Sequence, residues 1–358
     1  MVSAAVVLAC LVPATAACLG YLVPTLAARV RRRTRARVPT HAFTVLVPAH
    51  NEEHALPAAL RSLAALDYPA QMVRVCVVAD NCTDGTAAIA RAAGAECLVR
   101  CDPAERGKGY ALAFGLAHAL KRDSDVVLVL DADCELNPGA LRALDEVFAA
   151  GADAAQAAVR SRNADDGPAG FVAAVGTEFD DATAAGWDRL GFSVSLRGTG
   201  MAFRRELLER VPWDAFGLAE DAEYGSRLKR ASIRVRYCGG AEVLSEAPPS
   251  VADLCQQRRR WRAAGMLVSK PLVLAHLAVA VAAGAACGFV VWPAALVAAF
   301  ALLYLRAVWA VGLTPRRFCS LLRSPVVVAR LGFVTLAGVV RRGGPWERTA
   351  RPAEQRAV

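Results

Sequence analysis

Two aspartates two residues apart, Asp131 and Asp133, follow directly on the apolar run Asp125–Leu130. If the chain bends there, both carboxylates reach one hard cation, and the natural use of such a pair is Mg²⁺ or Mn²⁺ held against a diphosphate. A solvated strand end with an Asp turn has the same spelling, so the pair alone leaves both readings open. The metal would rest mainly on Asp133, phosphates and water, since the only His beyond this point is His276, inside an apolar block. Further along, Glu220-Asp221 opens a segment that ends at Lys229-Arg230. Acidic residues in a first helical turn are common because they complement the helix dipole, so this pair alone does not mark a functional site. Gln257-Arg258-Arg259-Arg260-Trp261 offers cations and a flat ring, although a basic-aromatic run beside an apolar block is also ordinary interfacial anchoring. Gly107-Lys108-Gly109 and Gly198-Thr199-Gly200 could each be no more than a turn.

These residues need elements to position them. Phe43–Val47, Val73–Val78, Ala95–Val99 and Asp125–Leu130 are continuous apolar or β-branched runs. Helix-like segments over about 53–65, 83–93 and 107–121 alternate with them. Buried strands alternating with helices predict a parallel sheet covered on both faces. Ligands bind beyond the carboxyl ends of such strands, where Asp80 and Asp131 both fall.

Composition places the remainder. With 55% hydrophobic residues and 21% charged residues in 358, the chain is neither disordered nor a disulfide scaffold. The hydrophobicity is concentrated. Residues 2–28 carry no charge, and 271–313 carry only Arg306. The first is long enough to cross a bilayer, and the absence of Lys or Arg before it argues against a cleaved signal. The second reads as two helices, about 271–290 and 294–313, turning at Trp292-Pro293. Residues 325–340 have Arg at both ends and read as a helix lying in the interface. Six Arg between 29 and 37, and nine Arg against two Glu from Thr314 onward, exceed the net charge of +9. The stretch between is therefore slightly acidic. Basic residues bordering apolar segments fit an anionic membrane face and exclude a nucleic-acid binder, which would carry its basic patch on the folded domain. The Arg cluster after the first span places the following domain in the cytoplasm. None of the eleven Cys forms a CxxC pair, as expected of reduced thiols facing the cytosol.

Val47-Pro48-Ala49-His50-Asn51-Glu52, Asp80-Asn81-Cys82-Thr83-Asp84-Gly85-Thr86, Gly107-Lys108-Gly109, Asp131-Ala132-Asp133, Gly198-Thr199-Gly200, Glu220-Asp221 and Gln257-Arg258-Arg259-Arg260-Trp261 occur in that order. As a set they resemble membrane-associated family-2 glycosyltransferases, the group of cellulose, chitin and hyaluronan synthases and many exopolysaccharide and glycolipid transferases. The tail Gly344–Arg351 also looks like the end of such enzymes. The resemblance implies an α/β, Rossmann-like GT-A fold with a largely parallel sheet, flanked by transmembrane helices. It implies inverting hexosyl transfer from a nucleotide sugar, with UDP favoured. Asp80 would then bind the base, with Ala49 and Glu52 lining the same pocket. Lys108 would contact the nucleotide or its phosphates, Asp131 would face the nucleotide sugar and Asp133 would hold the metal. Asp221 would be the general base, and Gln257, Arg260 and Trp261 would close over diphosphate and acceptor.

Three departures bear on this reading. Ala219 stands where Thr is usual in Thr-Glu-Asp, Ala79 replaces the first Asp of a common Asp-Asp pair, and three spans are few for a polymer channel. The expected organisation is a membrane helix over 1–28, a basic linker over 29–41 and a cytoplasmic catalytic domain over 42–265. A membrane hairpin over 266–313 and an interfacial, basic tail over 314–358 complete it. This makes a multi-pass protein of the cell membrane, adding sugar to a lipid-linked, hydrophobic or saccharide acceptor. The alternatives are a processive polysaccharide synthase and a catalytically degenerate nucleotide-sugar-binding scaffold.

Overall fold

The structure, a computed structural model, describes residues 4–28, 38–248, 250–263 and 270–340, with backbone alone at 4–10, 260–263, 271–272 and 335–340. The basic linker around Arg29–Arg37, Arg341-Arg342 and the Gly344–Arg351 tail lie outside the described residues. The chain divides into two compact units.

The first unit is an α/β layer structure. Its strands are β1 (Phe43–Ala49), β2 (Val73–Asp80), β3 (Glu96–Arg100), β4 (Val126–Val129), β5 (Glu135–Leu136), β6 (Ala154–Ser161), β7 (Met201–Arg204) and β8 (Val235–Ser245). They form one sheet in the order β3-β2-β1-β4-β7-β6-β8-β5. From β3 to β4 the neighbours are parallel, joined by α2 (Leu56–Ala64), α3 (Thr86–Ala92) and α4 (Lys108–Ala119). β1 is buried along its whole length and β4 likewise, which is why both read as unbroken apolar runs. Beyond β4 the sense changes: β7 runs antiparallel to both β4 and β6. The parallel sheet expected from the alternating pattern is thus half of the whole. The antiparallel half escapes that reading because β5 and β7 are only two and four residues long, and because the direction of a strand leaves no mark on its apolar pattern.

Phe43, Leu128, Leu141, Leu144 and Phe148 make the floor of the core, with α5 (Ala140–Ala149) supplying the last three. Asp145 on α5 anchors the entry to β1. It accepts from the Thr40 and His41 backbone N–H groups, from Thr40 Oγ1 at 2.9 Å and from His41 Nδ1 at 2.7 Å. Burial opposes the charge, but these donors hold its carboxyl below the usual range. The remaining helices here are α7 (Arg205–Arg210) and α8 (Glu220–Arg230), named in chain order around α6.

The second unit is helical: α1 (Ala4–Ala27), α6 (Pro168–Arg189), α9 (Val251–Ala263), α10 (Lys270–Ala286), α11 (Val291–Val311) and α12 (Pro315–Val340). Cys18, Phe171, Phe179, Leu277, Phe300 and Leu303 share its core. α6 lies inside the stretch expected to form one catalytic domain, yet it packs with the apolar helices. Gly186 is the reason α1 can approach it, since a Cβ there would overlap the Pro24 carbonyl. Among the described residues one helix, Val291–Val311, is long and apolar enough to cross a membrane; Leu11–Ala27 and Val273–Ala286 are shorter apolar helices.

The α10–α11 break differs from expectation. It lies at Cys287–Val290, where Gly288 takes φ +72° and Phe289 N–H donates to Gly284 O at 2.8 Å. Trp292 and Pro293 sit in the first turn of α11 instead. A proline there costs no hydrogen bond, because first-turn N–H groups have no partner in the helix, so it starts a helix rather than ending one.

Candidate functional site

The site gathers at the carboxyl ends of β1, β2 and β4. After β1 and β2 the chain turns through Asn51 and Asn81, both in the left-handed region at φ +54° and +51°. Asparagine tolerates this conformation better than other side-chain-bearing residues. The two turns hold each other. Asn51 Oδ1 accepts from Thr83 N at 2.8 Å, Glu53 N donates to Asp84 Oδ2 at 3.1 Å and Glu52 N to Thr86 Oγ1 at 2.8 Å. Ala49 and Glu52 are buried in this corner. Asp80 is only 4% exposed. Its Oδ1 accepts from Arg100 Nη1 at 2.8 Å and from Asn81 Nδ2 at 3.2 Å. Arg100 in turn reaches Glu105 at 2.9 Å.

Lys108 is the hub. Its ammonium lies 2.6 Å from Asp131 Oδ1 and 3.5 Å from Glu220 Oε1, and it donates to Gly198 O at 2.7 Å. Burial would lower its pKa. The carboxylates of Asp131, Glu220 and Asp221 outweigh that and hold it above the ordinary lysine range. Lys108 opens α4, and the two flanking glycines are both required. Gly107 has φ +123°, and a Cβ on Gly109 would overlap the Ala215 carbonyl oxygen. The Gly-Lys-Gly run is therefore more than a turn.

The Gly198-Thr199-Gly200 run is equally constrained. Both glycines have positive φ, +78° and +67°, and a Cβ on Gly200 would meet Val243 Cγ2 at 2.8 Å and Ala157 Cβ at 2.9 Å. Thr199 Oγ1 accepts from the Asp131 backbone N–H at 3.1 Å. Gln156, fully buried on β6, donates to Thr199 O at 2.8 Å and accepts from Arg197 N at 2.9 Å. Sequence reasoning passed over Gln156. Its signal was a single polar residue in the otherwise apolar run Ala154–Val159.

Asp221 stands in the first turn of α8, and its Oδ2 lies 3.6 Å from where a Gly198 Cβ would be, which puts it beside Lys108. Burial raises its carboxyl above the usual range, against the opposing pull of Lys108. Ala219 occupies the N-cap with no side-chain hydrogen bond, so the missing Thr costs α8 a cap.

Asp131, Asp133 and Cys134 place one ligand atom each within 4.8 Å of one another. The two carboxylates suit a hard divalent cation. Cys134 suits it poorly, because a thiol is a soft ligand and Mg²⁺ and Mn²⁺ prefer oxygen. Gln257 lies on α9, in the helical unit, as do Arg260 and Trp261, whose side chains lie outside the described residues.

Residues 39–264 match the family described as glycosyltransferase like family 2. The match covers more than half of the chain, and the chain belongs to that family. It is 28% identical over 228 residues to a probable glycosyltransferase, YdaM, of Bacillus subtilis, covering 61% of this chain and 54% of the relative. It is also 28% identical over 236 residues to a beta-monoglucosyldiacylglycerol synthase of Synechocystis sp., covering 64% and 48%. The chain thus spans about half the length of these relatives. Among solved structures it is similar to the mannosyltransferase PcManGT of Pyrobaculum calidifontis, determined with GDP-Man and Mn²⁺. The TM-score is 0.56 at 22% identity, over 93% of this chain and 98% of that one. That likeness shows the GT-A fold.

Proposed function

We propose that the protein is an inverting glycosyltransferase that takes a sugar from a nucleotide-sugar donor. One observation carries this: three carboxylates converge on the single ammonium of Lys108, beyond a buried strand, in a family-2 domain. Asp221 is the general base. The acceptor oxygen bonds to the anomeric carbon as the bond from that carbon to the diphosphate breaks. The hydroxyl proton passes to Asp221, and the electron pair leaves with the diphosphate. A raised carboxyl is the better base here, because its proton affinity is closer to that of a reacting hydroxyl. Lys108 meets phosphate charge as it develops, held in place by the Gly198 carbonyl and by Asp131. Glu220 keeps that ammonium charged. A divalent ion, when bound, would be held by Asp133 and Asp131 and would neutralise the departing diphosphate. Ala49, Glu52 and Asp80 form the corner for the base, with Arg100 fixing the Asp80 carboxylate. For Gln257, Arg260 and Trp261 the family resemblance supplies the assignment, to diphosphate and acceptor.

The catalytic unit is bound to the cytoplasmic face of the cell membrane through α1, α10 and α11. The apolar composition of these helices and the Arg-rich segment after α1 support that reading. The acceptor is a lipid or another hydrophobic alcohol rather than a growing polymer. Likeness to a protein named as a beta-monoglucosyldiacylglycerol synthase supports this.

The decisive experiment incubates the purified full chain in detergent with a panel of nucleotide sugars and follows donor hydrolysis and transfer, with and without excess EDTA. Hydrolysis of one donor that stops with EDTA is the expected result. Full turnover in EDTA would remove the divalent ion from the reading, and binding without turnover of any donor would favour a scaffold. A reporter fused after Arg37 that proved extracytoplasmic would reverse the orientation.

A further inference from the structure

Helix α12 presents two apolar faces, and among the described residues only one is covered. Ser320, Ser324, Val327, Leu331 and Val334 are buried, and the last three pack with Ala169, Leu254 and Cys255. Phe318, Leu322, Val326 and Phe333 recur at spacings of four, four and seven, and each is more than half exposed. Such spacing puts them on one face of a helix, away from the buried one. Arg316, Arg323 and Arg330, seven apart, occupy a flank between the two faces. An apolar face bordered by arginines is the pattern of a helix lying in the membrane interface.

At the border between these two faces α12 meets α9 across an open groove of about 530 Å³, within the size range of ligand sites. Val251, Cys255, Phe333 and Val334 contribute apolar walls, and the charged lining residues are Arg259 and Arg330, one from each helix. Among the described residues no carboxylate lines it. A free anion would satisfy the arginines and leave the apolar walls wet. A neutral chain would cover the walls and offer the two arginines no counter-charge. An anionic amphiphile answers both demands.

We propose that this cleft binds one anionic glycerophospholipid, its phosphate held by Arg259 and Arg330 and part of an acyl chain lying along the apolar walls. The proposal rests on the membrane-bound reading above. Arginine suits the task because its guanidinium presents a planar fork to phosphate oxygens. The exposed stripe on α12 already places the cleft where such lipids are concentrated. The bound lipid ties α9, the helix that carries Gln257 and Arg258, to the bilayer surface.

The test is native mass spectrometry of the full chain in detergent, with phosphatidylglycerol or phosphatidylcholine added. The expected result is one retained phosphatidylglycerol in preference to phosphatidylcholine. The double variant Arg259→Gln/Arg330→Gln weakens that retention by roughly tenfold. Ala329→Phe, which fills the cleft and keeps both charges, weakens it too, whereas Arg323→Gln on the same flank outside the cleft leaves it intact. Equal retention of the two lipids, or undiminished retention by the double variant, overturns the proposal. Flotation with mixed vesicles separates the two levels: a chain that floats without selecting a lipid loses the lipid site alone, and one that fails to float loses the membrane-bound reading as well.

Discussion

Each unit holds charges beside its packed elements, and they are arranged in opposite ways. In the helical unit Arg317 meets Asp165 through two parallel contacts, Nε to Oδ1 at 3.0 Å and Nη2 to Oδ2 at 2.7 Å. One cation answers one anion, and the pair holds the start of α12 to the loop before α6. In the sheet unit one ammonium, Lys108, faces Asp131, Glu220 and Asp221, with Asp133 beside them. A matched pair is complete and can only hold structure. Among the described residues the cluster holds more carboxylates than cations, the arrangement that the proposed divalent ion and proton transfer would use. The difference is kept in place by rigid backbone: glycines at 107, 109, 198 and 200 that no other residue could replace without strain, and the Gln156 clamp.

The strongest way to break this comparison is Asp221→Asn. It should lower the transfer rate by about 10³-fold while nucleotide-sugar binding persists, as read by kinetics and calorimetry on one preparation. The wild-type rate should rise with pH through a value above the usual carboxylate range, because burial raises Asp221 and only its deprotonated form accepts a proton. Normal turnover in the variant would make the surplus charge structural.

A smaller effect sharpens the backbone half. Gly200→Ala adds a Cβ against Val243 and Ala157 at positive φ and should destabilise the sheet unit by about 2–4 kcal/mol. Thermal melts should show it as a clear drop in Tm. An unchanged Tm would mean that the loop yields freely.

Asp145→Asn tests a complete site within the same unit. Removing the charge that satisfies the Thr40 and His41 donors should cost about 1–3 kcal/mol at neutral pH. Because the folded pKa of Asp145 is depressed, its contribution is present above the unfolded value near 3.8 and is lost as pH falls through the folded one. The stability difference between wild type and variant should therefore shrink in acid. A difference that persisted there would assign the loss to packing.

Asp165→Asn should do least, about 0–1 kcal/mol by melting and less in high salt, because its carboxylate is 39% exposed. A loss as large as that of Gly200→Ala would show that the matched pair carries more than local structure.

The amino-acid sequence by itself determined what is local. Apolar runs specified β1, β2 and β4 because a buried strand needs no polar face, and Asp131 and Asp133 were legible because they follow such a run directly. The ordered motifs identified the family because each survives as a short word.

What only the tertiary structure decided is who meets whom. Lys108 reaches Asp131, Gly198 and Glu220 because β4 pairs with β1 on one side and, antiparallel, with β7 on the other. That brings the loops before β7 and α8 over the end of β4. No periodicity in four-residue strands announces that reversal. Asp80 is engaged by Arg100, twenty residues on, and α6 joins apolar helices drawn from both ends of the chain. Such pairings follow from the order of strands and the close approach of helices, which packing sets over long separations and local propensity does not encode.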